Sequence, residues 1–418
     1  MTGGAKASAA DRAEGAGFSL PFWEFVALVG LSMAITALSI DIMLVALPDI
    51  AAEYALDDAN DRQFVLTAYL FSYALGHLVA GPLSDRIGRR PVLLGGLAIY
   101  VAASLAAALA ESFEVLLAAR IIQGLGGSAP RVVGVAIVRD RFSGRQMARV
   151  MSFAMTLFIM VPVVAPAIGS LILLAAPWRS IFVFLAVTAM ALATWIFLRL
   201  PETNSAAVRA SAGRPGLVEA FAIVLRSRVT VGYTISIGFV FAVIMTYIAT
   251  AQQFFEDVYG IDDWLPVFFG AVALCQAGAA LLNANLVERF GMRRLSHGAM
   301  LGSVLFSALI VGLLLAGVEV GLWLALAYLA GLFFAVGLSI PNVNAIAMEP
   351  LGRVAGTGSS IVGFYMTGAG ALLGGLLGQY YDGTFLVVAA GYLAFGIASL
   401  LAVAVTERGH LFESRSGR

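Results

Sequence analysis

The chain has 418 residues, 61% of them hydrophobic and 12% charged, with 25 basic and 25 acidic side chains. Soluble domains run nearer about 45–50% apolar and about 25% charged, so this composition excludes a large soluble domain and points to lipid as the main solvent. The charges cancel, no nucleic-acid partner is expected, and the arrangement of charge along the chain matters more than its sum.

In chain order, residues 1–17 are small and polar and lack the basic region, apolar run and cleavage site of a signal peptide. They read as part of a cytoplasmic tail. Apolar segments follow at 22–47, 64–83, 91–110, 115–138, 147–175 and 178–200, then at 229–251, 265–287, 295–316, 320–347, 354–380 and 385–405. A hydrocarbon core of about 30 Å needs roughly 20 apolar residues, so these make about twelve transmembrane helices. The expected division is a tail over 1–21, a six-helix bundle over 22–200, a cytoplasmic linker over 201–220, a second six-helix bundle over 221–406 and a tail over 407–418. Within the linker, residues 201–216 are rich in Ser, Ala, Arg, Gly and Pro. Cys275 is the single cysteine, which excludes an intramolecular disulfide and leaves no basis for a zinc or redox cluster.

The connections alternate in charge. One set carries Arg86, Arg89 and Arg90, then Arg139, Arg141, Arg145 and Arg149, then Arg209, Arg214, Arg226 and Arg228, then Arg289, Arg293 and Arg294, then Arg353. The other carries Glu53, Asp57, Asp58 and Asp61, then Glu111 and Glu114, then Glu256, Asp257, Asp262 and Asp263, then Glu319 and Asp382, against only Arg62 and Arg179. The positive-inside rule makes the first set cytoplasmic and places both termini in the cytoplasm of a multi-pass inner-membrane protein.

The halves echo each other. Asp85 to Arg90 after the second span resembles Glu288 to Arg294 after the eighth; Tyr54 to Asp58 resembles Tyr259 to Asp263; Ser128-Ala129-Pro130 in the fourth span resembles Ser339-Ile340-Pro341 in the tenth. Their shared order and nearly constant offset predict an all-α fold of two pseudo-symmetric six-helix bundles, with a site between them near the midplane.

Four segments carry a family resemblance. Gly81-Pro82-Leu83-Ser84-Asp85-Arg86-Ile87-Gly88-Arg89-Arg90-Pro91 is similar to the signature loop between helices two and three of the major facilitator superfamily. Arg120-Ile121-Ile122-Gln123-Gly124-Leu125-Gly126 resembles the helix-four motif of its antiporters, and residues 39–48, from Ser39-Ile40-Asp41 to Pro48, resemble the end of helix one in Bcr/CflA exporters. Pro162 to Gly169 is similar to the antiporters' Gly/Pro-rich helix-five motif, although Ala165 stands where many members have Gly. Over almost its whole length the chain thus resembles the twelve-span drug:proton antiporters of the Bcr/CflA type. This resemblance implies a transporter rather than an enzyme, with no cofactor or metal, powered by the proton gradient, acting as a monomer on small organic substrates. It also implies a conformational gate at Asp85 with Arg86 or Arg89 nearby, against the plainer reading of the loop as an orientation signal.

Ionisable groups at membrane depth cost about 2.5–3.5 kcal/mol each, so those present are functional or paired. Asp41, Arg120 and Arg131 qualify. Asp41 and Arg120 lie at matching depths, roughly 9 Å outward from the centres of their spans. In this superfamily the first and fourth helices of each half line the cavity, so an Asp41–Arg120 pair is expected to couple protons: burial opposes the carboxylate's charge and Arg120 supports it. The alternative is a permanent salt bridge. Arg131, 11 residues after Arg120 and on nearly the same helix face, is expected beside the cavity with its repeat mate Asn342. It disfavours simple cations as cargo, or else it forms a gate pair. Further candidate substrate contacts are Tyr69, Tyr73, Gln252, Gln253, Asn344, Phe364 and Tyr365, with packed or lipid-facing aromatic rings as the plainer reading. His77 is either a proton relay or a packed histidine.

The expected function is proton-coupled export of small amphipathic compounds, drugs or metabolites. A proton symporter importing a nutrient and a transporter-like membrane sensor are the alternatives. A membrane enzyme is disfavoured because His77, His297 and His410 are far apart in sequence and no nucleophile motif occurs.

Overall fold

A hydrophobic helix satisfies its own backbone hydrogen bonds, which is why lipid selects it. The computed structural model describes residues 20–142, 144–204, 217–261 and 264–412. Expectations for residues 1–19, 205–216 and 413–418, and for Asp262 and Asp263, fall outside them. The described residues form twelve helices long and apolar enough to cross a membrane, and no strand. They are α1 (Phe22–Asp41), α2 (Phe64–Ile87), α3 (Arg89–Ala108), α4 (Phe113–Arg141), α5 (Gly144–Ala175) and α6 (Arg179–Arg199), then α7 (Arg228–Tyr259), α8 (Leu265–Phe290), α9 (Met292–Leu315), α10 (Leu322–Met348), α11 (Ala355–Gln379) and α12 (Phe385–Thr406).

The packing has the symmetry that the repeats imply. In the first half α4 packs on α1, α2 and α3, while α1 also meets α5 and α6, and α3 meets α6. Adding six to every number reproduces the second half: α10 packs on α7, α8 and α9, α7 meets α11 and α12, and α9 meets α12. Between halves, α2 packs on α11 and α5 on α8, a pair of contacts that the same operation exchanges. The turns repeat as well. Gly88 (φ 114°) joins α2 to α3 and Gly291 (φ 80°) joins α8 to α9, both in backbone conformations that side chains with a Cβ resist.

Two boundaries differ from expectation. The first span breaks at Asp41, and the chain continues through a 3-10 turn (Leu44–Ala46) into a short helix (Leu47–Glu53) whose first turn holds Pro48. An unbroken helix would place the Pro48 ring against the Leu44 carbonyl and leave that carbonyl without its donor. The cytoplasmic linker, expected over 201–220, runs into a helix at Leu217–Arg226. Its Val224 is buried with Leu351 and Ile361 of the second half and packs against Leu78 of α2, so apolar side chains draw the segment onto the bundle.

Candidate functional site

Arg120 is fully buried on α4 and is held by neutral groups. Its Nε donates to the Val65 carbonyl (2.9 Å), one terminal nitrogen to Gln123 Oε1 (2.6 Å) and the other to the Ser39 carbonyl (3.3 Å). The guanidinium lies 4.4 Å from the centre of the Tyr69 ring. Behind it, Gln123 Nε2 donates to Ser104 Oγ (2.7 Å), and Ser39 Oγ pairs with the Tyr100 hydroxyl. Four helices thus converge on one cation.

Asp41 sits two residues beyond Ser39, at the break in α1, and is also buried. Among the described residues it makes neither a hydrogen bond nor an ion pair, so in this conformation it is not bonded to Arg120. The reason is geometric: the guanidinium donors already meet acceptors on α1, α2 and α4. The break is backed by α5, where a Cβ on Gly169 would come within 2.8 Å of the Ile42 carbonyl oxygen.

From Tyr69 a column of rings runs along α2. Tyr73 stacks parallel to Tyr69 with centroids 6.2 Å apart, and His77 meets Tyr73 edge-on at 4.5 Å. All three are buried, and His77 Nδ1 lies 3.0 Å from the Tyr73 carbonyl oxygen, in the manner of a packed histidine. Arg131 on α4 is half-buried, with its guanidinium 4.5 Å from the centre of the Phe158 ring on α5. Asn342 lies elsewhere, buried and donating to Asn283 Oδ1 (2.6 Å) on α8. Asn344 is exposed, and Phe364 and Tyr365 are half-buried on α11, where Tyr365 packs against Gly238 of α7.

The halves are stitched together at the end of the acidic loops. Gln253 Nε2 donates to Asn60 Oδ1 (2.8 Å), Gln63 Nε2 to Gln253 Oε1 (2.6 Å), and Asn60 Nδ2 to the Tyr381 carbonyl (2.9 Å). Gln379 Nε2 closes the ring on the Asn60 carbonyl (2.9 Å). Gln253, expected in the cavity, therefore belongs to this seal, and Gln252 beside it donates to Glu256 Oε2 (2.6 Å). The first-half members, Asn60 and Gln63, escaped the sequence reading because they lie in a polar loop, where amides are ordinary.

Removing Asn60 and Gln253 together is expected to open this end. The double variant loses three inter-half bonds worth about 1 kcal/mol each, which shifts the balance of states about tenfold or more. In a Cys275→Ser background, a cysteine at Leu70 should react with an impermeant thiol reagent faster by that factor in Asn60→Ala/Gln253→Ala. An unchanged rate would show that the seal carries no weight.

At the opposite end Arg89 is buried, bonded to Asp85 Oδ1 (2.6 Å), to Asp140 Oδ2 (2.8 Å) and to Ser84 Oγ (2.7 Å). Asp85 thus pairs within its own half, and Arg86 is exposed. Glu202, which the sequence did not single out, reaches back from beyond α6 to accept the backbone N–H groups of Arg89 (2.9 Å) and Arg90 (3.0 Å), capping α3 with negative charge. The second half repeats the device: Arg293 bonds Glu407 (2.9 Å) beyond α12 and Glu349 (3.5 Å) beyond α10. Only the matched places of Glu202 and Glu407 after their spans could have signalled this. Glu202→Gln is expected to lower stability by about 1–2 kcal/mol, read as a lower unfolding temperature, because two charge-assisted bonds weaken. Glu219→Gln, on the exposed face of the short linker helix, should change nothing.

No three His, Cys, Asp or Glu among the described residues gather to hold a metal. The profile of the Major Facilitator Superfamily matches residues 29–375. YdgK of Bacillus subtilis, described as an uncharacterized MFS-type transporter, is 30% identical over 361 residues, 84% of this chain and 87% of its own. A bicyclomycin resistance protein homolog of Haemophilus influenzae is 27% identical over 358 residues, 84% and 88% of the two chains. The multidrug resistance protein MdtL of Escherichia fergusonii is 35% identical over 227 residues, 53% and 56% of the two chains. The crystal structure of the human organic anion transporter MFSD10 superposes with a TM-score of 0.69 at 18% identity, over 93% of this chain and 100% of that one, which is a likeness of fold. Twelve membrane helices in two six-helix bundles related by a repeat, with relatives whose names agree with the Bcr/CflA resemblance, make the chain a multi-pass membrane transporter that belongs to the Major Facilitator Superfamily.

Proposed function

We propose that this transporter exports small amphipathic organic compounds, drugs or metabolites, in exchange for protons, as a monomer in the inner membrane with both termini in the cytoplasm. The observation that carries the reading is Asp41: a carboxyl group buried at a break in a membrane helix without a bonded partner among the described residues. An ionised carboxylate in that place is uncompensated, whereas the proton-bearing form costs far less. The relatives named for resistance to bicyclomycin and to multiple drugs support export.

With the arginine loops facing the cytoplasm, the seal of Asn60, Gln63, Gln253 and Gln379 lies on the periplasmic side. The cycle then runs as follows. A proton bound to Asp41 lets the empty carrier turn inward. Arrival of water and cargo from the cytoplasm releases that proton, and the carboxylate is then balanced by Arg120, whose bond to the Ser39 carbonyl lies two residues away. The loaded carrier turns outward, and protonation from the periplasm frees the cargo. Arg89 with Asp85 and Asp140 holds the cytoplasmic ends of the first bundle as one body while the halves rock. The test is reconstitution in liposomes under an imposed proton gradient, with antibiotics and metabolites as trial cargo. Movement of cargo against the proton flux supports exchange, and movement with it would establish symport instead.

A further inference from the structure

Arg131 is a cation at membrane depth that meets no anion among the described residues. It lies ten residues before the end of α4 at Arg141, about 15 Å along the axis. Among the described residues its guanidinium makes no hydrogen bond or ion pair and rests only on the Phe158 ring, 4.5 Å away. The second-half acids lie at span ends or in loops: Glu256 and Asp257 in the last turn of α7, Glu288 in the last turn of α8, Glu349 and Glu407 just beyond α10 and α12. Asp41 is out of reach in the same bundle. Thr36 of α1 donates to the Gly127 carbonyl of α4, and Gly134 faces Ser32 and Met33, so Arg131 stands level with Ser32–Thr36. Counting along both helices puts Asp41 about 13 Å away towards the acidic-loop end.

The surroundings suit a ligand. Tyr73 and His77 meet edge-on on α2, and across the halves Gly363 of α11 presents no side chain to His77. Phe364 and Tyr365 follow on α11, half-buried. The Arg131 guanidinium has a fork of donors matched to two oxygens of an oxyanion, and the nearby rings suit an apolar body.

The geometry points to Arg131 as the residue that selects cargo, pairing with the carboxylate or similar oxyanion of an amphipathic organic anion. This rests on the reading of the cavity as a cargo path. Among the described residues no carboxylate meets Arg131 in this conformation, which favours the cargo role over a gate pair. Exchange of a monoanion for one proton moves two charges, so a potential negative inside should drive transport.

The test uses the full chain in nanodiscs, without any gradient, and three probes with one ring system: 2-naphthoate, 2-naphthamide and 2-naphthylmethylamine. The wild type is expected to prefer the acid. Arg131→Gln should weaken acid binding about tenfold or more while leaving the amide unchanged, as loss of a charge-assisted pair requires. Arg131→Lys should keep the order of preference at reduced affinity. Equal binding of acid and amide, preference for the amine, no binding of the acid, or an acid preference that survives in Arg131→Gln would each overturn the assignment. Transport is read separately. Wild type that prefers the acid but moves none of it against a proton gradient retains this assignment and loses the export reading; efflux of the amine alone does the reverse.

Discussion

Asp41→Asn should leave a folded carrier that binds cargo and no longer moves it in response to a proton gradient. The side chain makes no hydrogen bond among the described residues, so the near-isosteric amide is expected to cost less than about 1 kcal/mol of stability. The effect on coupling should be complete, because no other acid stands away from the span ends. Wild-type exchange should vary with pH through the titration of one group, and the variant's residual facilitated movement should be flat. Proteoliposomes loaded with cargo and given a pH jump distinguish the cases. Full gradient-driven exchange by Asp41→Asn would remove Asp41 from the coupling step.

Arg120 is expected to behave differently, as a residue whose loss is felt first in stability. Arg120→Met leaves the Val65 carbonyl, Gln123 Oε1 and the Ser39 carbonyl without their donor in a site closed to water. At about 1–3 kcal/mol for each of the three orphaned acceptors, a loss of roughly 3–9 kcal/mol follows, enough to lower the unfolding temperature in detergent sharply. Arg120→Lys should rescue little, since one ammonium cannot span three acceptors on three helices or cover the Tyr69 ring as the flat guanidinium does. Gln123→Leu added to Arg120→Met should recover part of the loss by deleting one orphan. A Lys variant as stable as the wild type would show that the three-way bond is not what holds these helices.

These expectations show where the site was legible and where it was not. Asp41, Arg120 and Arg131 stand out in the sequence because charge is rare in apolar runs, and that rarity is a property of each helix alone. Their bonds are not. The sequence brought Asp41 and Arg120 to similar depth, and depth is counted along one axis; whether two side chains bond depends on helix rotation and on competing acceptors, here supplied by Ser39, Val65 and Gln123. Gln253 was expected to meet cargo and meets Asn60 and Gln63 instead, because the approach of α7 to the start of α2 is a relation between halves. Glu202 looked like one acid in a linker, and its role arises only where Gly88 turns the start of α3 towards it.

By itself the sequence determined the number of spans, their alternation and the internal repeat, since lipid requires every crossing segment to be apolar for about 20 residues and to satisfy its own backbone. That requirement acts locally and can be read locally. The tertiary structure alone decided that Arg120 is held by neutral acceptors, that amides seal one end and that, among the described residues, Arg131 meets no anion. Each of these is set by which faces of distant helices meet.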